Sequence, residues 1–190
     1  MRILIAGLIG GVVMFIWGAF AHMALPIGEL SMRAPASEGQ VIDALRAGLP
    51  QQEGIYVLPW FDMKRHDDAS VKAYAERSAA NPYAFIVYQP QGRDSTNMVR
   101  ELPTQWISDT LAAILVAAGM LWCTPVRRRR VLLAVAFGVF SWLSISVPYW
   151  NWYRFPLAFT FGSLLEQGFG WLLAGAAMAW WLGRGDRLPS

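Results

Sequence analysis

Residues 131–183 read VLLAVAFGVFSWLSISVPYWNWYRFPLAFTFGSLLEQGFGWLLAGAAMAWWLG, two apolar stretches on either side of an aromatic turn. The turn lies between Pro148 and Pro156 and is rich in Trp and Tyr, which prefer the membrane–water interface. A hydrocarbon core of about 30 Å is crossed by about 20 apolar helical residues. Each stretch approaches or exceeds that length. The segment therefore predicts two antiparallel transmembrane helices joined by a tight hairpin.

Two further segments have the same apolar character, Ile3–Leu25 and Trp106–Cys123. The 190-residue chain is 55% hydrophobic and 15% charged, which is too apolar for an ordinary soluble domain. We expect an all-α four-helix transmembrane bundle with a small α/β extracytoplasmic domain inserted between the first two spans. The predicted segments are helix 1 (1–25), the extracytoplasmic domain (26–105), helix 2 (106–124), an Arg-rich loop (125–130), helix 3 (131–149), the hairpin (150–155), helix 4 (156–183) and a tail (184–190).

Arginines set the predicted orientation. Arg2 precedes the first span, Arg127–Arg130 lie between two spans, Arg184 and Arg187 follow the last, and the hairpin carries only Arg154. Because basic residues concentrate in short cytoplasmic segments, both termini are predicted to be cytoplasmic. The formal charge of +3 is then a consequence of topology, and we expect no nucleic-acid partner.

The first span carries two patterns that need interpretation. Gly7 and Gly11 lie one helical turn apart, which indicates close helix packing rather than a nucleotide-binding loop, because no strand precedes them. Ala19–Ala21 is an acceptable cleavage pattern, so a removed signal peptide is the alternative to a span. The single Arg2 and the length of the apolar run favour an uncleaved helix.

The inserted domain has the order helix, strand, helix, strand. Ser37 with Gln40 predicts a capping box before a first amphipathic helix, and Asp68 is the predicted cap of a second helix. Ile55–Leu58 and Tyr83–Tyr88 are predicted strands. Two strands alone are marginal in water, so the domain is expected to lean on the bundle or on a partner.

Glu166 is an acid about ten positions into the fourth span, where a charge is costly. It shares a helix face with small residues including Gly170. Counting back equally from the hairpin places Gly138 and Ser141 of the third span beside it. One interpretation is a proton-carrying or ligand-binding carboxylate. The preferred one is a protonated structural acid hydrogen-bonded to Ser141 or Ser144, with Gln167 assisting.

A second polar group gathers at the predicted outer ends of the helices: His22, Asp109, Asn151 and Arg154. A histidine with carboxylates is capable of acid–base chemistry. Each residue also has a structural explanation, such as an acid in the first turn of a helix or contact with water and headgroups. The structural explanation is preferred.

No metal site or cofactor is predicted. His66, Asp67 and Asp68, near Asp62, are cation-ligand types, but a solvated loop and a helix cap explain them better. The lone Cys123 allows neither a disulfide nor a paired-cysteine metal site.

Four phrases, GVVMFIWGAFAHM (11–23), EGIYVLPWFD (53–62), NPYAFIVYQPQG (81–92) and SISVPYWNWYRFP (144–156), are similar to those of an uncharacterised group of small bacterial four-helix inner-membrane proteins. The resemblance covers most of the chain. It implies a bacterial inner membrane and a periplasmic insert, and it implies no activity, cofactor or catalytic residue.

Two functions follow as hypotheses. The first is a non-enzymatic accessory or assembly subunit, whose periplasmic domain binds a partner or ligand while the bundle anchors it in the lipid bilayer. Its partners would be other membrane or periplasmic proteins, or further copies of itself. The alternative is a small oligomeric transporter or membrane enzyme that uses Glu166 as a proton-carrying or ligand-binding group.

Overall fold

The computed structural model describes residues 1–25, 27–65 and 67–185. These residues form six helices and one two-stranded sheet: α1 (Arg2–Met23), α2 (Glu38–Gly48), β1 (Gly54–Leu58), α3 (Asp68–Ala80), β2 (Ala84–Tyr88), α4 (Glu101–Cys123), α5 (Arg127–Tyr153) and α6 (Leu157–Gly185). The chain divides into two compact units. We call Met1–Arg33 with Thr96–Ser190 the helical unit and Ala34–Ser95 the insert unit.

Within the described residues, three helices are long and apolar enough to cross a membrane: α1, α4 and α5. The chain is therefore compatible with a membrane protein. The sequence predicts a fourth span where α6 lies, and α6 is 29 residues long but is not among the three. Glu166 and Gln167 interrupt its apolar character near the middle.

Helix α1 packs antiparallel to both α4 and α6. Gly11 allows the approach to α4, because a Cβ atom there would lie 2.6 Å from the Cα atom of Thr110. At Gly7, one turn away, a Cβ atom would lie 2.9 Å from the Cα atom of Ile114. Small residues let membrane helices approach in this way, and both glycines lie where the sequence predicts helix packing.

Helix α6 lies between α1 and α5 and is antiparallel to both. A Cβ atom at Gly138 of α5 would lie 2.9 Å from the backbone oxygen of Gln167, and one at Gly170 of α6 would lie 3.0 Å from Met14 Sδ of α1. These two glycines are also at close helix contacts. The buried core occupies the half of the unit around Ala113, Met120, Ala134, Ala174, Met178 and Leu182.

The two ends of α5 differ from the sequence-based prediction. Arg127–Arg130, predicted as a loop, form its first turn, and the connection from α4 is only Thr124–Val126. At the other end α5 continues through Pro148 to Tyr153, so Asn151 belongs to the helix rather than to a hairpin. Arginine is a good helix former, which explains the longer start.

The reversal between α5 and α6 is correspondingly short. Arg154 follows α5 with a left-handed backbone, φ 56° and ψ 31°, and α6 begins at Leu157. A left-handed residue is a common way to end a helix. The turn therefore holds the two helices side by side and antiparallel.

In the insert unit, β1 and β2 pair antiparallel from Gly54↔Tyr88 to Leu58↔Ala84. The predicted order of elements is confirmed, and Ser37 is the N-cap residue of α2 as predicted, but the predicted capping box is absent and the predicted cap of α3 is wrong by one position. The Ser37 side chain makes no capping hydrogen bond to α2. Helix α3 is capped by Asp67 rather than Asp68, because Asp67 Oδ1 accepts from the Ser70 amide at 2.9 Å.

Candidate functional site

The side chains of His22 and Glu166 meet between α1 and α6, with His22 Nε2 3.3 Å from Glu166 Oε1. Side chains on a helix lean toward its N-terminus, so on antiparallel helices these two lean toward each other. The Glu166 side chain is 22% exposed and that of His22 is 45% exposed. The acid is therefore shielded, while the imidazole has access to the surroundings.

Neighbouring groups fix both partners. Trp17 Nε1, one turn before His22 on α1, donates to the backbone oxygen of Glu166 at 2.9 Å. Gly28 lies against the imidazole so closely that a Cβ atom at this position would overlap the ring of His22. Trp17 thus contacts the backbone at Glu166, and Gly28 packs directly against the ring of His22.

A second carboxylate belongs to the same site. Asp109 of α4 is close enough to Glu166 to interact with it electrostatically, and its Oδ1 accepts from Gln105 Nε2 at 2.9 Å. On α6, Gln167 Oε1 accepts from Trp171 Nε1 at 3.2 Å. We call His22, Gln105, Asp109, Glu166 and Gln167 the polar site.

The polar site separates two cavities of the helical unit. The wide crevice, about 520 Å³, lies between α4, α5 and α6, and the narrow crevice, about 250 Å³, lies between α1, α4 and α6. Gln105, Asp109, Glu166 and Gln167 line both. A dissolved molecule or proton in either crevice would reach the same two carboxylates.

The wide crevice forms where the bundle is least tightly joined. Helices α4 and α5 touch each other less than α1 touches α4 or α5 touches α6. The crevice extends along α5 from Phe137 to Ser146. Its volume lies within the range of typical small-molecule sites, about 300–1,000 Å³.

The predicted hydrogen bonds of Glu166 to Ser141 or Ser144 are not what the structure shows. Ser141 lines the wide crevice, but its hydroxyl donates to the backbone oxygen of Gly138 at 2.8 Å. Ser144 is on the exposed face of α5. Glu166 pairs instead with His22, a residue on a helix that the sequence cannot place beside it.

The predicted outer polar group divides into two pairs. His22 and Asp109 join Glu166 in the polar site, whereas Asn151 and Arg154, at the end of α5, line neither crevice. Sequence reasoning missed Trp17, Gln105 and Gly28. Gln105 and Asp109 are four positions apart on a helix, the spacing at which such side chains bond, and that signal was available.

The insert unit has its own cavity, the insert cleft, of about 850 Å³. Its aromatic wall includes Trp60 and a pair of rings, Phe61 and Tyr74, whose centroids are 4.8 Å apart. Arg65 and Arg77 also line it, and Arg77 donates to the backbone oxygen of Trp60 at 2.6 Å. Asp62 lines it as well, 3.7 Å from Arg65 Nε, so the insert cleft combines aromatic surface with two arginines and one carboxylate.

Asp62 and Asp67, which the sequence offers as possible cation ligands, accept local hydrogen bonds in the insert unit. His66 lies outside the described residues. Asp67 caps α3, and the hydrogen bonds from Ser70 lower the pKa of its carboxyl group. Asp62 accepts from the Lys64 amide at 3.0 Å. Among the described residues, no group of three or more His, Cys, Asp or Glu is placed to hold a metal ion.

No family model matches this chain, and neither a curated protein nor a solved structure was found to match it.

Proposed function

We propose that the chain is an integral membrane protein of four spanning helices, with both termini in the cytoplasm of a bacterium and the insert unit in the periplasm. Helix α6 packs along α1 and α5, two helices that are apolar enough to span a membrane. This packing supports a membrane-spanning α6 despite its polar residues. Arg2 and Arg130 support the orientation. Arg2 donates to Leu182 O near the end of α6 at 2.6 Å, and Arg130 donates to Thr124 O at the end of α4 at 2.9 Å. Positive charge at these helix ends favours the cytoplasmic side for them.

Within this membrane protein, the polar site is a binding site for a small ligand, with Glu166 as its titratable group. The contact between Glu166 and His22, beside two cavities, is the observation that carries the proposal. An ionisable group within a membrane-spanning segment is costly, and such groups commonly mark a ligand or proton pathway. A small oligomeric transporter fits this arrangement, since four helices are few for a monomeric one.

The test is Glu166→Gln in the native host, which keeps the shape of the side chain and removes its titration. We expect a phenotype as severe as deletion of the protein, at a normal protein level in the membrane. Glu29→Gln, at an exposed position of the same unit, is the matched control and should behave as wild type. An unchanged phenotype for Glu166→Gln alongside a deletion phenotype would retire the proposal.

The insert cleft supports a second candidate function, binding of a periplasmic partner by an accessory subunit. Its aromatic wall and two arginines suit an acidic or aromatic segment of another protein, and Trp60 is 61% exposed. A photoreactive amino acid in place of Trp60 should cross-link one discrete partner in living cells. The same group in place of Glu53, an exposed residue elsewhere in the unit, should not. Equal cross-linking from both positions contradicts this function.

A further inference from the structure

We propose that the wide crevice binds a small organic cation with an apolar body, whose charge is held by Asp109 and Glu166 and whose body lies among the aromatic side chains of α5 and α6. This inference rests on the proposed ligand-binding function of the polar site and specifies its ligand class.

The charge of the site selects the sign of the ligand. Asp109, Glu166 and His22 are the ionisable residues that line the two crevices, and within the described part of the chain no lysine or arginine lines either. The site therefore has two acidic side chains and one histidine, an excess of groups that can carry negative charge over groups that can carry positive charge. In a medium of low dielectric constant, that imbalance strongly favours a cation.

Several hydrogen-bond donors of the wide crevice are already engaged. Ser141 and Ser163 donate to backbone oxygens of their own helices, at 2.8 and 3.2 Å. Gln105 donates to Asp109, and Trp171 donates to Gln167. Ser108, Ser146 and the side-chain amide of Gln167 also line the crevice, so it offers donors as well as acceptors. Its charged acceptors are the carboxylates of Asp109 and Glu166, which suit a cation or an N–H donor.

The aromatic lining suits an organic ion better than a hydrated inorganic one. Four aromatic side chains line the wide crevice: Phe137, Phe140, Trp142 and Trp171. Both indole N–H groups are bonded, that of Trp142 to Thr160 O at 2.7 Å, so the rings contribute apolar surface. Aromatic rings attract cations within about 6 Å of their centroids and also bury apolar groups. Together with two carboxylates they recognise both parts of such a ligand.

The test uses two probes of nearly equal size and shape and opposite charge, tetraphenylphosphonium and tetraphenylborate. Both are titrated into the purified full-length protein in lipid nanodiscs, with empty nanodiscs subtracted, and binding is followed by calorimetry and tryptophan fluorescence. We expect saturable binding of tetraphenylphosphonium and at least about tenfold weaker binding of it to Glu166→Gln and Asp109→Asn, which corresponds to about 1.4 kcal/mol. Glu29→Gln should bind as wild type.

Phe140→Ala removes one aromatic side chain from the wide crevice and leaves both carboxylates in place. It therefore separates ligand binding in this crevice from selectivity for a cation. Equal binding of both probes, or cation binding that the two charge-removing variants leave unchanged, overturns the inference. If Phe140→Ala weakens that charge-blind binding, the crevice is still a ligand site, although not one selective for cations. Failure of tetraphenylphosphonium to bind also overturns the organic-cation inference, whereas the Glu166→Gln phenotype in the host decides the proposed function separately.

Discussion

Arg130 Nε donates to the backbone oxygen of Thr124 at 2.9 Å, so the last of the four consecutive arginines caps the C-terminal end of α4. The residue is only 2% exposed, and the same nitrogen lies 3.4 Å from Met120 O. A cation at the C-terminal end of a helix satisfies carbonyls that have no partner in the helix itself and interacts favourably with its dipole.

Replacing Arg130 by Ala should destabilise the protein by about 2 kcal/mol, because buried carbonyls lose a charged donor. Arg128→Ala, two positions away and exposed, should change stability by less than about 0.5 kcal/mol. Thermal unfolding of the purified variants in detergent measures both. Equal losses for the two variants would show that the hydrogen bonds of Arg130 contribute nothing special.

The pair of His22 and Glu166 should show a coupling energy of about 0.5–1 kcal/mol in a double-mutant cycle with His22→Ala and Glu166→Gln. His22 Nε2 lies 3.3 Å from Glu166 Oε1, so either substitution should remove the same interaction. Asp109 faces the same site, and the cycle is therefore repeated with Asp109→Asn. A coupling energy that is zero within error contradicts a direct interaction between His22 and Glu166.

Gly11→Ala should destabilise the helical unit by about 1–3 kcal/mol, because the added methyl group would overlap α4. Gly18, on the same helix, has no atom near its missing side chain. Gly18→Ala should therefore be neutral or stabilising by up to about 1 kcal/mol. Unfolding in mixed micelles distinguishes them, and a tolerated alanine at Gly11 would mean that α1 and α4 lie farther apart.

The Asp67 cap should make α3 sensitive to acid. Hydrogen bonds from Ser70 lower the pKa of Asp67 below its usual 3.8, so the folded state favours the charged carboxylate. The stabilisation is complete above pH 3.8 and is lost as the pH falls through the lower folded pKa. The protection factors of the first α3 amides against hydrogen exchange, which correct for the intrinsic pH dependence of exchange, should therefore fall at low pH. Asp67→Ala should have lower protection factors than wild type above pH 3.8 and approach wild type at lower pH, and Asp68→Asn should have a smaller effect.

Cys123 gives a native test of orientation, since it is exposed at the end of α4. A membrane-impermeant maleimide should leave it unmodified in intact spheroplasts and label it in inverted vesicles. Cys123→Ser with Glu53→Cys should give the opposite pattern, because Glu53 belongs to the insert unit. Labelling of Cys123 in spheroplasts would reverse the proposed topology.

The sequence predicts the existence of every element but fewer of the contacts between them. Apolar length locates α1, α4 and α5, and Asn81 ends α3 where an extended residue before proline is expected. The sequence predicts a loop at Arg127–Arg130, because basic residues concentrate in short cytoplasmic segments between spans. The extended Thr124 before Pro125 already makes the turn, and the arginines were free to continue a helix.

The polar site could be predicted only in part, because its members are far apart along the chain. Trp17 and Glu166, joined by a hydrogen bond, are 149 positions apart. Counting from the hairpin between α5 and α6 identifies Gly138 as a neighbour of α6, since those helices are joined by a short turn. No comparable turn links α1 to α6, so nothing in the sequence indicates that His22 and Glu166 meet.

The position of α1 between α4 and α6 has a consequence for the order in which the contacts of α1 form during synthesis. A ribosome makes α1 before α4 and α6, so the glycine face of α1 has no partner until both later helices have been made. The hydrogen bond that Arg2 donates to Leu182 O can form only after α6 has been synthesised. The contacts of α1 are therefore completed by a helix made more than 150 positions later in the chain.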